Sequence, residues 1–335
     1  MARSEASSLV EGALLAALTA VLVLIGYVIP PLMIVTSMVW TSPIVILVIR
    51  RNLKVGVMAT IVAGLLVMLV TGPVQAFLLI INFGVLGLVY GYLFKAKVGT
   101  ARALIGGALA AAVSSAMGIG VVFLVAGGSF AQMDHQMRVM VDVFMDAYQR
   151  AGILEQFAQQ GITPEQLRSD LIKFMRVLLP GGLVIGATFT ALINLVTSRL
   201  VLLRLRLPAP DLPPFREWQL PWYMVWGVIV GLGLWLAGDY YGRPTVVAVG
   251  QNILFVYAFI LMVIGLAVLI YFYKNMKLSP LMKGLLIALL ILNQRFVMVA
   301  LVGLGLFDTL FNYRRLTGGN KKEGDSREGD PEAGR

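Results

Sequence analysis

The stretch LVEGALLAALTAVLVLIGYVI, Leu9 to Ile29, decides the fold class. Its single charge, Glu11, stands at its start, and the rest is apolar or small. An α-helix rises 1.5 Å per residue, so about 20 such residues cross the ~30 Å hydrocarbon core of a bilayer. Comparable runs follow: Leu32–Ile49, Val55–Thr71, Val74–Phe94, Ala101–Ala126, Gly181–Leu203, Leu220–Ala237 and Val249–Tyr273. Pro30-Pro31 and Gly72-Pro73 punctuate them as tight turns. Glu5 and Glu11 flank the start and no small-residue cleavage site precedes Pro30, so no cleavable signal peptide is expected.

Composition agrees. Of 335 residues, 59% are hydrophobic and 13% charged, against about 45–50% and about 25% in soluble domains. Mean hydropathy is +0.87. A water-soluble enzyme of ordinary architecture is excluded, and the chain reads as an all-α, polytopic membrane helical bundle in the cell membrane, with the lipid bilayer as its first partner. There are no cysteines, which removes disulfides and thiolate chemistry. The one histidine, His135, reads as a solvated face residue. The net charge of +10 is read as a positive-inside bias, so no nucleic-acid partner is expected.

The placement of the cations tests that reading. With the N-terminus inside and the spans alternating, twenty Lys and Arg fall inside, clustered at Arg50–Lys54, Lys95–Arg102, Arg199–Arg216, Lys274–Lys283 and beyond Arg314. Seven fall outside: Arg138, Arg150, Arg168, Lys173, Arg176, Arg243 and Arg295. The split favours an even number of crossings, with both termini in the cytoplasm. The last apolar stretch, Leu281 to Phe311, is interrupted by Asn293-Gln294-Arg295. It reads as two short helices, Pro280–Leu292 and Phe296–Phe311, either spanning twice or forming a re-entrant pair.

Residues 1–206 form a six-helix unit with an outer amphipathic insertion at 128–173. In the insertion Phe130, Met133, Met137, Met140, Phe144 and Tyr148 recur at three- and four-residue steps as one apolar face. A second helix opens at the capping box Thr163-Pro164-Glu165-Gln166 and runs to Pro180. The two helices either close as a lid over the bundle mouth, or rest on the bilayer surface or pack on loops. Residues 207–219 are a Pro-rich cytoplasmic linker, 220–316 hold the C-terminal membrane helices, and 317–335 are too polar to order.

No phosphate loop, HExxH or GxSxG motif is present. No enzyme activity, metal site or cofactor is therefore expected. Uncharged polar residues within the spans carry more information, because they are costly in lipid. Thr36, Ser37 and Trp40 cluster in the second span, Asn82 lies in the fourth, Ser114 in the fifth, and Thr188 and Asn194 in the sixth. They read either as hydrogen bonds between helices or as the lining of a pocket for an uncharged or zwitterionic small molecule. Asp308 lies near the cytoplasmic end of the last helix, where Arg314 or Arg315 is its nearest partner, which implies a structural role. Ala13, Ala17 and Ala16, Ala20 form two AxxxA pairs on the first helix, a candidate face for a membrane partner subunit.

Several segments resemble the YybS-like bacterial membrane proteins, a family of unknown function. These are Leu212-Pro213-Pro214-Phe215-Arg216-Glu217-Trp218, the path from Pro180 through Asn194 to Arg199, Gln251-Asn252 with Gly265-Leu266-Ala267, and Gly305-Leu306-Phe307-Asp308 leading to Asn312-Tyr313-Arg314-Arg315. The six N-terminal helices in turn resemble the S-components of energy-coupling-factor vitamin transporters, which capture a ligand and rely on a separate ATPase module. The resemblance implies solute binding or transport. Two features depart from it: the Pro30-Pro31 turn is short where S-components often carry a gating loop, and Gly127–Lys173 is long. The competing reading is a structural or scaffolding protein serving envelope or division machinery.

Overall fold

The computed structural model describes residues 2–125, 129–277 and 279–316; the tail from 317 lies outside them. Every regular element among the described residues is helical. Among the described residues, eight helical segments are long and apolar enough to cross a membrane. The chain divides into two compact units, Met1–Leu212 and Pro213–Arg335.

In the first unit, α1 (Ala2–Val28) is followed by a broken span of α2 (Pro30–Val39) and α3 (Ser42–Arg50). Then come α4 (Leu53–Thr71) and a span in which α5 (Pro73–Leu79) passes through a π turn, Ile80–Gly84, into α6 (Val85–Lys95). Helices α7 (Thr100–Val125), α8 (Phe130–Arg150), α9 (Ile153–Gln159) and α10 (Pro164–Arg204) complete it. The starts follow from local chemistry. Proline occupies the first turn of α2, α3, α5 and α10, where its missing N–H is no loss. The side chains of Asn52, Ser129 and Thr163 accept from the open backbone N–H groups of α4, α8 and α10. Gly72, at φ +80°, reverses the chain between α4 and α5.

The core of this unit forms where α1, α3, α4 and the π turn meet, around Ala16, Ala20, Val23, Ile44, Leu47, Ala63, Val67 and Phe83. A second cluster joins α3, α6, α7 and α10 through Val45, Leu86, Tyr90, Ala103, Ala191 and Leu195. Gly107 lies against the Tyr90 ring, leaving no room for a side chain. The Tyr90 hydroxyl donates to the Ala191 carbonyl at 2.6 Å. The two alanine pairs of α1 part company here. Ala16 and Ala20 are 0% and 3% exposed, so they pack inside their own unit, and only Ala13 and Ala17 face outward. The reason is angular: residues three or four apart share a face, and Ala16 and Ala20 share theirs with Val23.

Two expectations are corrected. The helix opened by Thr163 does not stop at Pro180. It runs unbroken for 41 residues to Arg204, about 60 Å, merging the second outer helix with the sixth span. Proline removes one backbone hydrogen bond, and membrane helices tolerate that loss. Helix α8 packs along α10, with ion pairs Arg168–Asp142 at 2.5 Å and Arg176–Asp134 setting an antiparallel register. Met137 and Val141 are buried, whereas Met140 and Phe144 are exposed, Phe144 by 49%. The apolar face inferred for α8 is therefore split, because packing on a single neighbour covers a narrower stripe than the sequence pattern offers.

Residues 207–212, the start of the Pro-rich linker, pack on the first unit. Leu207, Ala209 and Leu212 pack on the second cluster, Arg199 Nε donates to the Pro210 carbonyl at 2.8 Å, and the Thr100 hydroxyl donates to the Asp211 carbonyl. The first unit extends to Leu212 rather than 206.

In the second unit, 3-10 turns at Phe215–Glu217 and Trp222–Met224 lead into α11 (Val225–Tyr240) and α12 (Pro244–Asn275). Helices α13 (Pro280–Leu292), α14 (Gln294–Phe311) and α15 (Tyr313–Leu316) follow. Helices α12 and α14 touch backbone to backbone: a Cβ on Gly265 would meet the Leu301 carbonyl, and one on Gly305 the Leu261 carbonyl. Small residues permit this approach, which drives association where lipid offers no hydrophobic gain. Helices α13 and α14 meet at 106°, so the segment is neither a straight crossing nor a full hairpin.

Candidate functional site

Four polar residues of the first unit lie at similar depth. Counting along each helix, Trp40 is ten residues from Arg50 and Asn194 ten from Arg204, while Asn82 is thirteen from Lys95 and Ser114 fourteen from Thr100. That is about 15–21 Å from the basic end of the unit, near the middle of a bilayer.

On one side of this layer is a closed hydrogen-bond cluster. The span break at Trp40–Thr41 frees the Thr41 hydroxyl from a helical turn, and it donates to Asn194 Oδ1 at 2.9 Å. Asn194 Nδ2 donates to the Thr190 carbonyl at 3.0 Å. Ser198 Oγ stands 3.5 Å from Thr41 Oγ1 and 3.4 Å from Ser42 Oγ. The Thr197 hydroxyl donates to the Met38 carbonyl. All of Thr41, Ser42, Asn194 and Ser198 are buried. Of these, Asn194 is among the seven pocket candidates, Thr41 and Ser42 directly follow Trp40 in the polar run of the second span, and Ser198 escaped the sequence reading. Ser198 is one turn below Asn194 on the same face, and that i, i+4 spacing was the available signal.

The other side is the π turn. Asn82 lies within it, and its side-chain amide donates to the Leu78 carbonyl at 2.8 Å. Phe83, beside it, is fully buried and faces the Trp40 ring at 5.8 Å, tilted by 44°. On α7, Gly107 stands against Tyr90 and Gly118 against Leu78. This antiparallel register brings Ser114 level with Asn82. Ser114 is 1% exposed. Its Oγ and the Trp40 Nε1 are the two buried side-chain polar atoms without a hydrogen-bond partner among the described residues. A π turn marks a local departure from α geometry that recurs at functional sites. Phe83 escaped the sequence reading because a phenyl ring in a span carries no polar signal.

The remaining candidates do not join these two groups by any hydrogen bond. The Thr36 hydroxyl bonds to the Leu32 and Met33 carbonyls, Ser37 to Ile34 and Thr188 to Val184, each within its own helix. Two open hollows of about 360 and 320 Å³ lie in the second unit, one by Ala237, Gly238, Tyr241, Arg243 and Val246, the other by Pro214, Phe215, Arg216, Ile270 and Lys274. None of the seven candidates lines either.

In the second unit Asp308 and Arg314 are 3% and 6% exposed and pair through both oxygens, at 3.2 and 2.7 Å. Arg314 also donates to the carbonyls of Arg216 at 2.6 Å and Trp218 at 2.5 Å. Its guanidinium thus ties the Phe215–Glu217 turn to the end of α14. The side chain of Arg315 lies outside the described residues. No group of three or more His, Asp or Glu residues suited to a metal occurs among the described residues.

A family model described as "Predicted membrane protein (DUF2232)" matches residues 17–309. The chain belongs to this family. The DUF2232 match covers both units, from within α1 to the residue after Asp308. A curated relative, "Uncharacterized protein YybS" of Bacillus subtilis (strain 168), is 23% identical over 316 residues, covering 92% of this chain and 98% of that protein. The resemblance to YybS-like membrane proteins therefore holds over nearly the whole length. No solved structure matches this DUF2232 protein.

Proposed function

We propose that this integral membrane protein binds a small uncharged or zwitterionic solute in its N-terminal unit, in the manner of an S-component, without catalysing a reaction. One observation carries the reading: at mid-depth, polar groups flank a π turn and two of them, on Trp40 and Ser114, are buried with no hydrogen-bond partner among the described residues. Buried polar groups are almost always satisfied, and an exception calls for a ligand, a water or a functional reason. The basic ends of the spans face the cytoplasm of the cell membrane in this reading, and both termini lie there. Native purification in nanodiscs followed by mass spectrometry of released small molecules is the direct test. A stoichiometric compound supports the reading; repeated recovery of lipid alone overturns it.

A second reading, a structural membrane protein serving envelope or division machinery, is favoured by the Thr41–Asn194–Ser198 cluster. That cluster joins the second span to α10 through side-chain hydrogen bonds.

A further inference from the structure

We propose that Ser114 and Trp40 are the hydrogen-bond donors of a site for a neutral solute that offers acceptors, such as carbonyl or ring-nitrogen atoms, and that this site discriminates against charged compounds. The proposal deepens the solute-binding reading and rests on it.

The donor inventory of the layer points to this chemistry. The indole N–H of Trp40 can only donate. Other donors of the layer have partners: Tyr90 on the Ala191 carbonyl, Thr41 on Asn194, and one N–H of each amide, Asn82 and Asn194, on a carbonyl one turn back. Two buried atoms have no partner at all among the described residues: one obligate donor, Trp40 Nε1, and one hydroxyl, Ser114 Oγ. Their natural complement is a solute with acceptors. The Trp40 and Phe83 rings, 5.8 Å apart, supply apolar surface beside the first donor.

The sequence around these side chains carries no charge. No Asp, Glu, Lys, Arg or His stands within four residues of Trp40, Asn82, Ser114 or Asn194 in the sequence. An ion at mid-depth without a partner meets a large desolvation penalty. A carboxylate or ammonium on the solute would find no ionisable partner on the helix turns that carry these four residues.

Unpaired donors also leave a signature in the protein alone. Burying a polar group without a partner destabilises the fold. Removing it should therefore stabilise the empty protein while weakening the solute complex. A donor with a structural partner behaves in the opposite way.

The test uses the full chain in nanodiscs, wild type, Ser114→Ala and Trp40→Phe. Each is incubated with two isosteric series: nicotinamide, nicotinate and 1-methylnicotinamide, and benzamide, benzoate and benzamidine. Retained compounds are quantified by mass spectrometry, and Tm is measured without added compound. The expected result is at least tenfold preference for the neutral amide within a series, at least tenfold loss of retention in each variant, and a Tm at or above wild type. Preference for either charged member, retention unchanged in both variants, or a lowered Tm in both overturns the assignment. The two levels separate cleanly. A charged compound recovered from native protein overturns the neutral class and leaves solute binding standing, whereas a protein that retains nothing, natively or from the series, overturns both.

Discussion

Replacing Asp308 by Asn isolates a buried charge without changing shape. Arg314 is 6% exposed, and its guanidinium bonds the Asp308 carboxylate and the carbonyls of Arg216 and Trp218. Asp308→Asn keeps the carbonyl bonds and one side-chain acceptor but removes the compensating charge. Breaking a buried ion pair from one side costs about 3–5 kcal/mol, and the surviving hydrogen bonds place the loss near the lower figure. About 3 kcal/mol is roughly two powers of ten in the unfolding equilibrium. Fluorescence-detected size-exclusion chromatography after heating should show a large drop in Tm and in folded yield, with solute retention per folded molecule unchanged. The double variant Asp308→Leu with Arg314→Met removes both charges and should recover much of the loss, since apolar replacement of a buried pair is often neutral. A single variant within about 0.5 kcal/mol of wild type, well short of the buried-pair cost, would falsify the clamp. Loss of binding in a fully folded Asp308→Asn protein would refute its purely structural role.

Three further outcomes are expected. Met137→Ser should loosen the α8–α10 hairpin, since a fully buried Met contributes about 1.5–3 kcal/mol, whereas Phe144→Ser, at a half-exposed site, should change little; limited proteolysis near Gly152 and Gly161 reads the difference, and equal effects would refute the packing described. Gly265→Val must push α12 off the Leu301 carbonyl and should cost upwards of about 3 kcal/mol, while Gly284→Val, where nothing lies within 4 Å, should be tolerated; comparable folded yields would mean the two backbones do not touch. The bonds from Arg176, then from Arg138, hold the Asp134 carboxyl below the usual carboxylate range. A depressed folded value gives stability above the unfolded value that is lost as pH falls through the folded one, so pepsin should open the hairpin only below about pH 4, and earlier in Arg176→Gln.

The candidate site was only partly legible. Asn82, Ser114, Trp40 and Asn194 stood out because a polar group in a span is expensive enough to need a reason. Which of them share a layer depends on helix register, and register is set by contacts such as Gly107 on Tyr90 and Gly118 on Leu78, which no single helix encodes. Thr36, Ser37 and Thr188 look alike in sequence, yet each turns its hydroxyl back to its own helix. A hydroxyl one turn from a carbonyl always has that local option.

The sequence alone determined the membrane class, the eight spans and most of their ends, because bilayer thickness, proline and capping act over a few residues. It also pointed to the partner of Asp308, six residues from Arg314. Only the tertiary structure decided that α10 continues through Pro180, that Ala16 and Ala20 face inward, and that residues 207–212 fold onto the first unit. It alone left Trp40 and Ser114 without partners. Those outcomes depend on which apolar faces meet, and in an almost uniformly apolar chain nearly every face is eligible. Shape, set by glycine and alanine, then chooses among them.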